Sequence, residues 1–152
     1  MRTLYTLPGV SSALSAATPK TVLAVTSAAT YGINWLRYEI SFDGATSTAV
    51  PAKIELCTHT GAGAGTSTGA TVVQVGGVTI ATTGVAGGTN FTVEPTVLSA
   101  FDVFTLPVYG GTGIVPFTPG QEPNSVVSQG FAIRVTAPAA VNCTASMWFE
   151  RA

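Results

Sequence analysis

The strongest constraint on the fold is a period-two alternation of apolar and polar residues between Ile33 and Thr60. In the first half, the strand would have two faces, one with Leu36, Tyr38, Ile40 and Phe42 and the other with Trp35, Arg37, Glu39 and Ser41. In the second half, one face would have Val50, Ala52, Ile54, Leu56 and Thr58 and the other Pro51, Lys53, Glu55 and Cys57. Such alternation is typical of half-buried antiparallel strands. We therefore predict a strand pair turning at Asp43-Gly44, with the charges of the two strands paired across its solvent face.

Shorter segments with the same alternating pattern occur before and after this region, and no segment has helical periodicity. They cover residues 21–27, 90–94, 99–108, 113–118, 131–136 and 141–150. Eight to ten short strands separated by Gly and Pro predict an all-β fold, an antiparallel two-sheet sandwich that is jelly-roll-like. We expect one domain over residues 1–152, in which residues 1–8 form a short strand or an N-terminal arm.

Two glycine-rich stretches interrupt the strand patterns. Residues 61–69 are predicted to be a flexible loop, because low-complexity Gly/Ala/Ser/Thr sequence lacks side chains that pack. The stretch follows a strand, as phosphate-binding loops do, but it lacks their lysine motif and is followed by Val72-Val73 rather than a helix. Residues 71–75 and 78–81 flank Gly76-Gly77, which predicts a hairpin.

Charge is scarce, which restricts the classes of partner. Only 9% of residues are charged, against about 25% in an ordinary domain, and the net charge is −1. The sequence therefore predicts neither nucleic-acid nor membrane binding, and no apolar run reaches the roughly 18–20 residues of a membrane span. The N-terminus lacks the apolar core of a secretory signal. Because a surface so poor in charge promotes association, we expect the chain to belong to an assembly.

No residue pattern predicts catalysis, a metal or a cofactor. His59 is the only histidine, and no nucleophile motif accompanies it. Cys57 and His59 would supply two metal ligands where a zinc site needs three or four. The carboxylates follow no pattern typical of a catalytic pair. Cys57 and Cys143 are predicted to be free thiols, unless their strands prove to be neighbours and allow a disulfide.

Two tryptophans are the best candidates for contacts with a partner. The alternation places Trp35 and Trp148 on the more polar faces of their strands, where a tryptophan is a frequent interface anchor or a platform for sugar stacking. The other interpretation is that another part of the same chain covers that face. Arg2 and Tyr5, in the N-terminal segment, are further candidate interface residues.

Several longer phrases of the sequence resemble a group of small tailed-phage virion proteins. These are β-sandwich, jelly-roll-like proteins of the capsid decoration, or minor head protein, kind. The likeness spans residues 21–150 and is carried by residues 22–23, 38–44 (YEISFDG), 51–56 (PAKIEL), 90–96 (NFTVEPT), 119–123 (PGQEP) and 134–142 (RVTAPAAVN). These phrases are structural, and no residue with a chemical role is carried over.

The resemblance implies a structural role on the virion surface. Such proteins are made in the host cytoplasm and bind the outside of the head, often as homotrimers that clamp neighbouring subunits of the major capsid protein. We therefore expect a decoration protein that stabilises the shell and needs no cofactor. The alternative is a receptor- or glycan-binding module of a tail or head fibre. A hydrolase is a third hypothesis, and it has the least support from the residues.

Overall fold

The computed structural model describes residues 3–46, 50–60, 65–76 and 84–152. Within these ranges the chain forms twelve β-strands and no helix. None of these residues belongs to a helix long and apolar enough to cross a bilayer. The strands are β1 Leu4–Leu7, β2 Ser12–Leu14, β3 Pro19–Thr26, β4 Ile33–Phe42, β5 Ala52–Thr60, β6 Thr66–Ala70, β7 Val73–Gln74, β8 Ala86–Val93, β9 Leu98–Leu106, β10 Thr112–Pro116, β11 Gln129–Thr136 and β12 Val141–Arg151.

The strands form two antiparallel sheets that pack face to face. Sheet 1 has the order β10-β4-β12-β1-β7, with β2 also paired to β12, and sheet 2 has the order β6-β8-β3-β11-β5-β9. Eight of these strands, β10-β4-β12-β1 over β9-β5-β11-β3, follow a jelly-roll order, in which the last two strands insert between earlier ones. The predicted all-β, jelly-roll-like sandwich is confirmed, although twelve strands are described rather than eight to ten.

A single large core fills the space between the sheets, and both sheets contribute to it. Its fully buried large side chains are Leu7, Val22, Leu23, Ile33, Trp35, Ile40, Ile54, Leu56, Phe131, Ile133, Met147 and Phe149. Residues 3–8, for which the sequence allowed a strand or an arm, contain β1, which lies between β12 and β7. The N-terminal segment is therefore part of the sandwich rather than an addition to it.

The predicted pairing of β4 with β5 is wrong. These strands lie in different sheets, β4 between β10 and β12 and β5 between β11 and β9. The predicted ion pairs across them do not form. Instead Arg37 binds Glu39 at 2.8 Å within β4, while Glu55 binds Lys53 at 2.9 Å and Arg134 of β11 at 2.9 Å. Alternation predicts which residues face a core, but in a jelly roll the next strand along the chain commonly crosses to the other sheet.

The prediction that Trp35 lies on the polar face is also wrong, and a β-bulge is the reason. Trp148 and Phe149 are adjacent on β12 and pair with Arg37 and Trp35 of β4, respectively. Leu36, which lies between these two residues of β4, therefore has no partner on β12. One extra residue in a strand shifts the side-chain alternation by one position. Trp35 consequently faces the core together with Tyr38 and has 0% exposure.

The glycine-rich segments are more ordered than the sequence predicted, as far as the structure describes them. Residues 61–64 of the predicted loop lie outside the described ranges, but Thr66–Ala70 forms β6 and pairs with β8, so the loop prediction is wrong there. Val73–Gln74 pairs with β1. The second strand of the predicted hairpin, residues 78–81, lies outside the described ranges.

The two tryptophans provide a test of this bulge. We expect Trp35→Ala to lower the free energy of unfolding by about 3–5 kcal/mol, because it empties a large buried site. Trp148→Ala, on the outer face, should cost only about 1 kcal/mol. Urea unfolding followed by far-UV circular dichroism measures both. Equal losses for the two variants would contradict the burial assigned to Trp35.

Candidate interaction surfaces

The structure describes three of the four predicted interface residues, and two of these three are buried. Trp35 is buried, and Tyr5 is buried with its ring stacked 5.9 Å from that of Phe149. Arg2 lies outside the described residues. Only Trp148 is partly exposed on an outer face. The expectation that Trp35 lies on an exposed face is therefore wrong, and partner contacts through Trp148, Tyr5 and Arg2 stay predictions.

Trp148 is covered on one side by its own chain. The guanidinium carbon of Arg37, the residue opposite it on β4, lies 4.0 Å from the ring centroid. The same guanidinium donates to Glu39 at 2.8 Å. The outer face of sheet 1 continues with hydroxyl side chains around a shallow groove of about 100 Å³, lined by Glu39, Ile40, Ser41, Thr112, Ile114, Thr144 and Ser146. This face is polar, and the arginine limits access to the indole ring.

The only histidine makes structural contacts. His59 is buried, with Nε2 2.8 Å from the Val25 carbonyl oxygen and Nδ1 3.1 Å from that of Thr60. Within the described ranges no three His, Cys, Asp or Glu side chains are grouped so that they could hold a metal ion. These two backbone contacts place the imidazole within the fold, beside the ladder that joins β3, β11 and β5.

The predicted free thiols are confirmed. Cys57 and Cys143 are both free and fully buried. Burial raises the pKa of the Cys57 thiol to about 11 and that of the Cys143 thiol to about 12. Because the thiolate is the reactive form, both side chains behave as small apolar core residues.

The outer face of sheet 2 is partly covered by the end of β8, the start of β9 and the segment that joins them. Phe91 and Leu98 pack on a floor of small side chains, Ala24, Cys57 and Ala132. Glu94, in the same crossing segment, accepts hydrogen bonds from the backbone N–H and hydroxyl of Thr21 at 2.7 and 2.6 Å. The segment is thereby attached to β3 and covers this part of the sheet.

Beside this covered floor lies the most buried ion cluster of the described chain. Glu55 accepts hydrogen bonds from Nε and a terminal nitrogen of Arg134 at 2.9 and 3.2 Å, and Lys53 lies 2.9 Å away. The hydrogen bonds from Arg134 hold the pKa of the Glu55 carboxyl below its usual value, against the opposing effect of burial. The cluster stabilises the ionised carboxylate on a sheet face and leaves no reactive acid.

One side of the described sandwich exposes apolar side chains where β9 and β10 end the two sheets. The strands are neighbours there, because the Leu106 side chain of β9 lies against the backbone of Gly113 in β10. Their apolar side chains are exposed: Phe101 by 45%, Val103 by 51% and Ile114 by 60%. We call these two strands with their side chains the β9–β10 side.

An aromatic cluster lies directly beneath the β9–β10 side. Phe101 is the extra residue of a bulge between β5 and β9, and its ring lies 6.1 Å from that of Trp35. Phe104 of β9 lies 6.0 Å from Tyr38. Burial, assisted by the charge of Asp102, raises the pKa of Tyr38 to about 12, so its hydroxyl stays neutral. Phe101 and Phe104 thus connect β9 to a packed aromatic core in which Tyr38 stays neutral.

Sequence reasoning did not select this surface. The signal was nevertheless present in residues 99–108, where Phe101, Val103, Phe104 and Leu106 put apolar side chains on both faces of one strand. It was also present in the uncharged residues 112–116. A core buries only one face of an edge strand. A second apolar face therefore indicates a contact with something other than the core.

The ion cluster on sheet 2 predicts a pH dependence of stability. Because the pKa of Glu55 is lower in the folded chain than its ordinary value of 4.5, the stabilisation is complete above that pH and is lost as pH falls through the folded value. We expect Glu55→Gln to destabilise the protein near neutral pH, and we expect this destabilisation to shrink as the pH falls below 4.5, because the wild-type carboxylate then becomes protonated. Urea unfolding across this range measures the difference.

The matched control for this experiment is Glu39→Gln, in the more exposed pair with Arg37. It should change the free energy of unfolding little at any pH, because exposed ion pairs contribute about 0–1 kcal/mol. A loss caused by Glu55→Gln that stays constant from neutral to acidic pH would show that the side chain acts through packing and not through its charge.

Comparison with known proteins identifies no relative. No protein-family model, no curated protein and no solved structure matches this chain. The fold therefore rests on the strand order and the core described above, and the function has to be argued from the surfaces of this molecule.

Proposed function

We propose that this chain is a structural virion protein, a capsid decoration protein that binds the outer surface of a phage head as a homo-oligomer. The observation that carries the proposal is the β9–β10 side, which exposes aromatic and aliphatic side chains over a rigid core. Exposed apolar side chains border this edge from both faces of the sandwich, Val103 opposite Glu55 on sheet 2 and Ile114 opposite Glu39 on sheet 1, and such an edge is a candidate for contact with another protein. The sequence resemblance to decoration proteins supports the same role independently.

The distribution of charge supports a protein contact at this side. The ion pairs flank this side: Glu39, paired with Arg37, lies opposite Ile114, and Glu55, held by Lys53 and Arg134, lies opposite Val103. On β9 and β10 themselves Asp102 is the single charged residue. The cores of protein interfaces are likewise depleted in charge and enriched in aromatic residues.

The mechanism of a decoration protein requires no chemistry. A ligand that binds the assembled state and not the separate subunits stabilises assembly by mass action. If the β9–β10 side contacts the major capsid protein where neighbouring subunits meet, each bound copy opposes the separation of those subunits. A stiff β-sandwich suits this role, because little conformational entropy is lost when a rigid surface binds.

One observation favours a second candidate, a receptor- or glycan-binding module. Trp148 lies on an outer face beside hydroxyl side chains and Glu39, a combination that suits the apolar faces and hydroxyl groups of a sugar. Arg37 lies over the indole ring, however, and a stacked sugar would have to displace it or use the ring edge. A glycan array separates the candidates: selective glycan binding abolished by Trp148→Ala would favour the second one.

The proposal predicts that a charge on the β9–β10 side weakens capsid binding. We expect Val103→Lys to reduce co-sedimentation of the purified protein with heads of its phage by about tenfold or more, because it places a lysine in a desolvated contact. The monomer should keep its stability, since Val103 is half exposed. Val126→Lys, at a 60% exposed valine in the loop between β10 and β11, is the matched control and should bind like wild type.

Two results would overturn the proposal. One is failure of the wild-type protein to co-sediment with heads that lack a decoration protein. The other is binding that Val103→Lys and Val126→Lys reduce equally, since the β9–β10 side would then have no special part in the contact.

A further inference from the structure

The strand edges of the described chain are unequally protected against pairing with another chain. Natural edges are shielded by short strands, bulges or charges. Among the described edges, β2 and β7 have three and two residues, β6 and β9 have irregular register, and β9 also carries Asp102. In contrast β10 pairs with β4 over five residues without a register shift and has no charged side chain.

The hydrogen bonds of β10 show which of its backbone groups are free. Phe117 N–H donates to the Leu36 carbonyl at 2.9 Å, and Phe42 N–H donates to that of Gly111 at 3.0 Å. In an antiparallel ladder every second residue bonds to the neighbouring strand. The odd-numbered residues of β10 therefore bond to β4, and the N–H and C=O groups of Thr112 and Ile114 point away from the sheet.

Pro116 is consistent with this assignment. Its backbone groups, like those of Thr112 and Ile114, point away from β4. The N–H that proline lacks therefore removes no hydrogen bond to β4. The free edge consequently has two N–H groups and lies between Gly111 and this proline.

We infer that the β10 edge binds β10 of a second copy of this chain, antiparallel and around a two-fold axis at Gly113. This pairing sets Thr112 of each copy opposite Ile114 of the other. Each such pair exchanges two hydrogen bonds, four in total, which satisfies both free N–H groups of each strand. The inference rests on the proposed homo-oligomer and names the contact through which two copies join.

The properties of β10 favour a second copy over another occupant. A two-fold contact joins a surface to itself, so it requires that the surface not repel its own copy. Residues 112–116 contain no charge, and the residue that meets itself at the axis is a glycine, which has no side chain to collide. Ile114 would gain the Thr112 side chain of the second copy as a neighbour in place of water. A partner chosen by charge would find no ionic group on this strand.

The solution mass of the free protein tests the inference. At about 100 μM, light scattering should give twice the mass of one chain for wild type. Ile114→Pro removes an outward N–H from each copy, hence two of the four bonds, without removing a bond to β4, and should raise the dissociation constant by about tenfold or more. Ile114→Thr keeps the backbone donor and should dimerise more strongly than the proline variant. Val126→Lys should behave as wild type.

The variants must remain folded, which thermal unfolding of each at low concentration verifies. A monomer or a trimer for wild type would overturn the inference, and so would a dimer unaffected by Ile114→Pro. Failure of dimerisation and failure of capsid binding are separable. A monomeric protein that still co-sediments with heads overturns this contact alone, and a dimer that ignores heads overturns the decoration role alone.

Discussion

The packing of Trp35 between the two sheets is the contact on which the rest of this structure depends. Its ring lies within 5.2 to 6.1 Å of the rings of Phe101, Phe117 and Phe131, so one side chain connects β4, β9, β11 and the segment after β10. The contact requires the bulge at Leu36, because without the extra residue the indole would point to solvent. A local irregularity in one strand thus holds the edges of both sheets together.

The sequence predicted the class of fold well and the neighbours of each strand poorly. Alternation is a local property, so it predicted β4, β5, β11 and β12 and the burial of Ile40 or Ile54 without knowledge of the partner strand. Pairing depends on how the chain crosses between sheets, which is a property of the whole chain. The bulges at Leu36 and Phe101 are set by neighbours distant in sequence, and no local pattern indicates them.

The candidate surface was missed for a related reason. Exposed tryptophans are a statistical sign of an interface, and the prediction of Trp35 rested on an alternation that the bulge interrupts. The residues that are exposed, such as Val103 and Ile114, look in the sequence like ordinary strand residues. Only the sheet order shows that their strands are the last in each sheet and that no other described strand covers them.

The surfaces of this chain differ in whether the chain itself covers their apolar side chains, and this difference supports the proposed assembly role. On sheet 2, residues 91–98 cover a floor of small side chains, and a hydrogen bond between Glu94 and Thr21 holds this segment in place. No described element does the same for the β9–β10 side, where Phe101, Val103 and Ile114 stay exposed. An exposed apolar edge favours association by the same free energy that burial supplies within a core. In a chain with so few charges to oppose contact, this edge supports the proposal that another protein surface occupies it.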